Sequence, residues 1–191
     1  MDSGPTATAR HQELLDQLVE LFLAEGFATF TLADLTVRLR CSKSTLYALG
    51  HSKETVTVNV LKRFFQTATS RIEARVAEPA APGDQIAGYL RAVADELRVA
   101  SPRFMQDVAA HPAARAVYEK NTRIAARRVD ELIAAGVARG EFRAVNGAFV
   151  ADVVASVMVR IQSGDVERAV GLHDADAYDE LARLVISGIV R

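Results

Sequence analysis

Small hydroxyl and basic side chains are concentrated between residues 31 and 53, and their types and spacing suggest a specific chemistry. Four residues at relative positions 0, 1, 4 and 5 share one face of a helix: Lys43, Ser44, Tyr47 and Ala48. Small residues allow close approach to a base edge, while tyrosine and lysine suit phosphate oxygens. Residues 35–53 carry four basic side chains and no acidic one. This local chemistry is typical of a nucleic-acid-binding surface.

Two short helices joined by a tight turn are predicted to position this face. Thr31 and Asp34 have the spacing of a capping box that opens the first helix, and Ser42 can cap the second through its hydroxyl. In the second helix Leu46 and Leu49 are expected to point inward. This arrangement is a helix-turn-helix, whose second helix enters the major groove. From spacing alone, the alternative is two short helices of a bundle with a solvated charged face.

The rest of the chain is also predicted to be helical. Apolar residues recur at spacings of three and four, and we find neither sustained alternation nor a hairpin-turn dipeptide. Prolines and glycines mark the boundaries of these segments. The sequence therefore predicts an all-α protein with helices near residues 9–25, 32–39, 43–49, 52–78, 84–100, 102–110, 112–139, 146–164 and 175–190.

Composition narrows the class of protein further. The 191 residues are 50% hydrophobic and 25% charged, which is ordinary for a globular protein and excludes a disordered one. The longest apolar stretch, near residues 149–161, contains charges and is shorter than the roughly 20 residues of a membrane span. Acidic residues interrupt the first segment, so we expect no signal peptide, no membrane association and a cytoplasmic protein. The net charge of −1 gives no global sign of a nucleic-acid partner.

Catalytic and metal-binding patterns are missing from the sequence. The four histidines, His11, His51, His111 and His173, do not have metal-ligand spacing. The chain has neither a glycine-rich phosphate loop nor a nucleophile elbow. We therefore expect no enzyme activity, no metal and no cofactor. Cys41 is the single cysteine, so the chain cannot form an internal disulfide. It is interpreted as a small packing residue, with a redox switch as the alternative.

Four segments resemble the TetR family of bacterial transcriptional regulators. The second and third lie in the two short helices, and the fourth opens the long helix that follows. The matching residues are Glu25-Gly26-Phe27, Thr31-Leu32-Ala33-Asp34-Leu35, Ser42-Lys43-Ser44-Thr45-Leu46-Tyr47 and Ser52-Lys53-Glu54. The specific resemblance covers about residues 10–60, and the helical layout of the rest is also similar. Departures from the family pattern occur at Arg40, where a glycine is usual, and at Leu49 and Gly50.

The resemblance implies two functional regions along the chain. Residues 1–55 would form a three-helix DNA-binding head, with a disordered tail at 1–8. Residues 56–191 would bind an effector and dimerise, joined to the head through the long helix 52–78. The predicted DNA-contacting residues are Thr31, Arg40, Ser42, Lys43, Ser44, Thr45, Tyr47 and Lys53.

A ligand site and a dimer interface are expected in the second region. The effector-pocket candidates are Phe104, Met105, Val108, Tyr118, Asn121, Thr122 and Met158, although each alone also fits a core position. The predicted dimer-interface residues are Val150, Val153, Val154, Val157, Leu181, Leu184 and Val185. The expected function is a homodimeric repressor, released from a palindromic double-stranded DNA operator by a small-molecule effector. The departures motivate an alternative, in which a helical dimer with a decayed head binds a ligand or another protein.

Overall fold

The computed structural model describes residues 7–76 and 82–190. The predicted tail at residues 1–8 lies mainly outside the described residues, as does the predicted end of the long helix at residues 77–78. The described chain is all-α, as predicted, and contains no β-strand; one isolated bridge joins Phe142 and Val190. Its helices are α1 (Ala7–Glu25), α2 (Leu32–Arg38), α3 (Lys43–Tyr47), α4 (Lys53–Val76), α5 (Pro82–Leu97), α6 (Pro102–Ala110), α7 (Pro112–Ala138), α8 (Gly147–Gln162), α9 (Asp165–Val170) and α10 (Asp174–Ile189).

The predicted boundaries agree closely with these helices, since the punctuating residues act as expected. Pro102 and Pro112 occupy the first positions of α6 and α7, where proline loses no helical hydrogen bond. One helix was not predicted. The six residues of α9 lie between Gly164 and Gly171, both with positive φ, in a stretch assigned to the end of α8 and a connection.

The chain forms two compact units. The first comprises the described part of Met1–Thr67 together with Ala100–Tyr118, and the second comprises the described parts of Ala68–Val99 and Glu119–Arg191. These units reflect packing, and they group α6 and the beginning of α7 with the three N-terminal helices. The functional division at residue 55 remains a prediction.

The first unit is built around α1 and the short helices. Phe22, Phe27, Leu35, Leu46 and Leu49 are all buried, and α1 also packs against α6. Aromatic rings extend this core, with Phe27 and Phe104 in an edge-to-face contact at a centroid separation of 6.1 Å. The core fixes the two short helices from inside, so that their polar side chains are left at the surface.

The second unit has an apolar core of its own. α10 packs along α5 and against α8, with Leu90, Val129, Val154, Met158 and Tyr178 buried between the helices. Because α8 is apolar around much of its circumference, part of its apolar surface stays outside this core. No described helix is long and apolar enough to cross a membrane.

Candidate DNA-binding interface

The first short helix begins with the predicted capping box. The Thr31 hydroxyl accepts a hydrogen bond from the Asp34 backbone N–H at 3.1 Å, and the Asp34 carboxylate accepts one from the Thr31 backbone N–H at 2.8 Å. The Thr31 hydroxyl also donates to this carboxylate at 2.7 Å, and the two bonds from Thr31 lower the pKa of Asp34. Two polar residues three positions apart thus fix where α2 starts.

The turn between the short helices holds Arg40 in the left-handed region, with φ of 48°. This is the position at which the resembled family usually has glycine. The Cys41 backbone N–H donates to the Thr36 carbonyl at 3.1 Å, which closes the end of α2. The conformation costs a non-glycine residue about 1 kcal/mol. The turn has therefore kept its geometry without the glycine.

The second short helix begins at Ser42, whose hydroxyl accepts from the Thr45 backbone N–H at 3.1 Å. Leu46 and Leu49 are buried, as predicted. We call the four exposed side chains on the opposite side the recognition face: Lys43, Ser44, Tyr47 and Ala48. Its members are small, hydroxyl-bearing or basic, a set suited to base edges and phosphates in a major groove.

The segment after α3 is firmly held, although it departs from the family pattern. Leu49 is buried, and its carbonyl accepts a hydrogen bond from the Asn59 side-chain amide at 2.7 Å. A Cβ added to Gly50 would lie 2.8 Å from the backbone nitrogen of Val56, so only glycine fits this close approach. Ser52 then caps α4, accepting from the Thr55 backbone N–H at 3.1 Å.

Lys53 opens α4 near the turn that follows α1. Its ammonium group donates to the Ala28 carbonyl at 2.6 Å. An ammonium carries three N–H donors, so two stay available for phosphate oxygens. Lys53 is thus held in place by a hydrogen bond within its own unit while keeping donors for a ligand.

The local basic charge is distributed unevenly. Arg38 pairs with Glu25 and lies over the Phe30 ring, which partly offsets its charge. Arg40 and Lys43 are exposed. Arg10, which belongs to no sequence motif, also lies near this surface. It lines a polar cleft of about 260 Å³ that is also lined by Arg40, Cys41 and Thr45. Only the fold brings Arg10 there, because it lies some thirty residues earlier in the chain.

Burial raises the pKa of the Cys41 thiol. A raised pKa lowers the thiolate fraction and with it the reactivity of the sulfur. The packing interpretation is therefore favoured over a redox switch. Within residues 7–76 and 82–190, no three histidine, cysteine, aspartate or glutamate side chains are grouped as a metal site would need.

The residues predicted to form an effector pocket fall in both compact units. Phe104, Val108 and Tyr118 are buried in the first, where the Tyr118 ring meets Phe65 edge-on. Met105 is partly buried in the same unit. The remaining three belong to the second unit: Asn121, Thr122 and Met158. Neither unit contains the whole predicted set.

The predicted dimer-interface residues differ in exposure. Within the chain's own second core, Val154, Leu181 and Val185 are buried, and Val150 and Val157 are partly buried. Val153 and Leu184 are 39% and 73% exposed. Phe149, one helical turn before Val153, is 67% exposed and was not predicted. We call the exposed trio the apolar face: Phe149, Val153 and Leu184.

Comparison with known proteins rests on structure. No family profile matches the chain, and no curated protein does. Many solved structures do match, and they include transcriptional regulators of the TetR type. A TetR/AcrR-family regulator from Thermobifida fusca superposes with a TM-score of 0.69 at 21% identity, covering 94% of this chain and 97% of its own. This chain has the TetR-family fold.

Two further structures with similar helical layouts support that assignment of the fold. A TetR-family regulator from Agrobacterium tumefaciens gives a TM-score of 0.69 at 14% identity, covering 97% of this chain and all of its own. A proposed transcriptional regulator from Saccharomonospora viridis, solved in complex with choline, gives 0.77 at 16% identity over 97% of this chain and 100% of its own. The TetR-family fold thus spans nearly the whole chain, beyond the N-terminal motifs.

Proposed function

We propose that this protein is a DNA-binding transcriptional regulator of the TetR family. The observation that carries the proposal is the recognition face on a helix-turn-helix, exposed and free of acidic side chains. Thr31, Arg40, Ser42, Thr45 and Lys53 complete the proposed contact set. In the proposed complex α3 enters the major groove, and Lys53 binds the phosphate backbone at its edge.

The intact geometry of the head supports DNA binding over the alternative of a decayed head. Leu49 fills a core position, Gly50 meets a steric requirement, and Arg40 adopts the turn conformation that the motif needs. A head that no longer bound DNA would not be expected to retain the unfavourable φ angle of Arg40 between two capped helices. The proposed head comprises residues 1–55, and the remaining residues form the regulatory part.

We further propose that a second copy of this chain covers the apolar face. Phe149, Val153 and Leu184 are large apolar side chains exposed on two helices that pack against each other. Homodimer interfaces are more apolar than the rest of a protein surface and are enriched in aromatic side chains, which fits this trio. A two-fold dimer presents two recognition faces, which is the symmetry that a palindromic operator requires.

Regulation by a small molecule is the last part of the proposal. The candidate pocket residues combine apolar walls with a few polar groups, as ligand sites do. The choline bound by the Saccharomonospora viridis protein supports a small-molecule site in this fold. An effector that prefers the form with low DNA affinity releases the operator by linkage. We propose that the protein acts in the cytoplasm as a repressor of this kind.

Selection of bound DNA from a random pool tests the proposal. The expected result is enrichment of a palindromic sequence, bound with an affinity that falls steeply with salt. Compounds can then be screened for release of that DNA. Failure to enrich any sequence, from protein shown to be folded and dimeric, would instead support the helical dimer with a decayed head.

A further inference from the structure

A buried carboxylate in the first unit joins α6 to the turn that follows α1. Asp107 is only 5% exposed, and its Oδ2 accepts the backbone N–H groups of Phe27 at 2.7 Å and Ala28 at 2.8 Å. Arg103, one turn earlier on α6, approaches Oδ1 at 3.3 Å. Burying a carboxylate is costly unless hydrogen bonds compensate for the lost water. The two backbone donors supply that compensation.

The contact is close and is reinforced beside the carboxylate. Gly26 has φ of +75°, and a Cβ added there would lie 2.5 Å from Asp107 Oδ2. At the start of α6, the Ser101 backbone N–H donates to the Leu23 carbonyl at 2.8 Å. Two hydrogen-bonded connections therefore fix α6 to the end of α1 and the turn after it.

The same turn also holds Lys53. Ala28 donates its N–H to Asp107, and its carbonyl accepts from the Lys53 ammonium at 2.6 Å. One residue of the turn thus connects a buried acid on α6 with a basic side chain proposed to bind phosphate. Asp107 is far in sequence from the recognition face and belongs to none of the elements proposed to enter DNA.

We infer that Asp107 is a positioning residue for the DNA interface and acts on Lys53 through the Ala28 peptide groups. This inference rests on the proposed function. The carboxylate fixes the turn, and the fixed carbonyl restricts the Lys53 side chain before DNA arrives. A lysine that is already ordered loses less side-chain entropy on binding a phosphate. α6 thereby sets the DNA affinity of a surface that it does not itself form.

Asp107→Asn tests the inference while keeping the shape of the side chain. Binding to the selected operator is measured across a salt series, alone and combined with Lys53→Ala. Asp107→Asn is expected to weaken binding by up to about tenfold while leaving the salt slope near the wild-type value, because a less ordered Lys53 still reaches the phosphate. Lys53→Ala removes that contact and should lower the salt slope by about 1 for each protomer. In the Lys53→Ala background, the effect of Asp107→Asn is expected to be much smaller. Amide hydrogen exchange at Phe27 and Ala28 is expected to accelerate.

The sign of the change makes the test sharp. Asp107→Asn removes a negative charge, which through long-range electrostatics alone would strengthen DNA binding. Arg103→Gln is the matched control, since it removes the ion pair on α6 and leaves both backbone hydrogen bonds in place; its affinity is expected to stay within about twofold of wild type.

Two results would overturn the inference. One is an equal loss of affinity from Asp107→Asn with and without Lys53, and the other is wild-type operator affinity in Asp107→Asn. Either result would reduce Asp107 to a general contribution to folding stability. Absence of operator binding by the wild-type protein would be different, because it would remove the proposed function itself along with the inference built on it.

Discussion

Two exposed surfaces of this molecule have opposite chemistry. The recognition face on α3 presents small, hydroxyl-bearing and basic side chains over the buried Leu46. The apolar face on α8 and α10 presents Phe149, Val153 and Leu184, which are 67%, 39% and 73% exposed. Burying polar and basic groups against each other contributes little free energy, but such groups bind phosphate well. Burying large apolar groups away from water is favourable. The first surface is therefore suited to nucleic acid and the second to another protein surface.

The comparison also shows how each surface is held in place. Beneath the recognition face, hydrogen-bonded caps at Thr31 and Ser42 stabilise α2 and α3, which are too short to be stable alone. On the apolar face, long helices are held by the core beneath them, through residues such as Val154 and Leu181. Single polar substitutions should consequently affect the recognition face most. Disrupting the apolar face should require replacing an apolar side chain with a charged one.

The largest effect is expected from charging the apolar face. Phe149→Asp combined with Leu184→Asp should yield a folded monomer, because both side chains lie outside the chain's own core. Loss of the second head should weaken operator binding by about a hundredfold or more. Light scattering reports the mass and fluorescence anisotropy the affinity. Val170→Asp, at a 67% exposed apolar residue on α9, is the control and should stay dimeric. A dimeric double variant would contradict the assignment of this face.

A smaller effect is expected from removing one charge from the recognition face. Lys43→Ala should weaken operator binding by roughly tenfold, about 1.4 kcal/mol, and lower the salt slope by about 1 for each protomer. Lys120→Ala, which removes an exposed lysine on α7, should change neither quantity appreciably. Anisotropy titrations at several salt concentrations measure both. Equal behaviour of the two variants would place the DNA contact elsewhere.

Arg40→Gly should raise thermal stability, since glycine adopts a φ of 48° without steric cost. The expected gain is about 1 kcal/mol, or a rise in Tm of about 2–4 °C for a chain of this size. Arg40→Ala removes the same side chain but keeps a Cβ in the left-handed region, so its Tm should not rise. Calorimetry of both variants separates backbone strain from the loss of charge. Equal Tm changes would show that strain is not the cause.

The smallest effect concerns pH and the capping box of α2. Because the Thr31 hydrogen bonds lower the pKa of Asp34 below its ordinary value of 3.8, the box stabilises the folded state above that value. This contribution should fade as the pH falls through the lowered pKa, when the carboxylate becomes protonated. An NMR titration of the Asp34 carboxyl and the Thr31 amide should give a common midpoint below 3.8. In Thr31→Ala that midpoint should move up, and an unmoved midpoint would show that another group lowers the pKa.

The sequence was sufficient to predict what depends on local spacing. The capping box, the Ser42 cap and the inward direction of Leu46 and Leu49 are consequences of residues within a few positions of one another, and all are confirmed. The all-α class is confirmed for the same reason, since helical periodicity is a local signal.

Features that depend on distant contacts could not be predicted in this way. Asp107 is 80 residues from Phe27, and its spacing from Arg103 suggests an ordinary surface pair on one helix. Periodicity likewise identified apolar positions on α8 and α10, but it could not tell which of them the chain itself covers. The predicted set names Val154, which is buried in the second unit, and does not name Phe149, which is exposed, because only the packed unit separates core positions from exposed ones.

The proposal that the recognition face binds DNA is tested by selecting DNA from a random pool with the wild-type protein. The enriched sequence is then titrated with wild type and with Lys43→Ala. The expected result is a palindromic sequence bound with a steep salt dependence, whose slope Lys43→Ala lowers by about 1 for each protomer. The proposal would be contradicted if no sequence were enriched, or if the enriched sequence bound wild type and Lys43→Ala with the same affinity and salt slope.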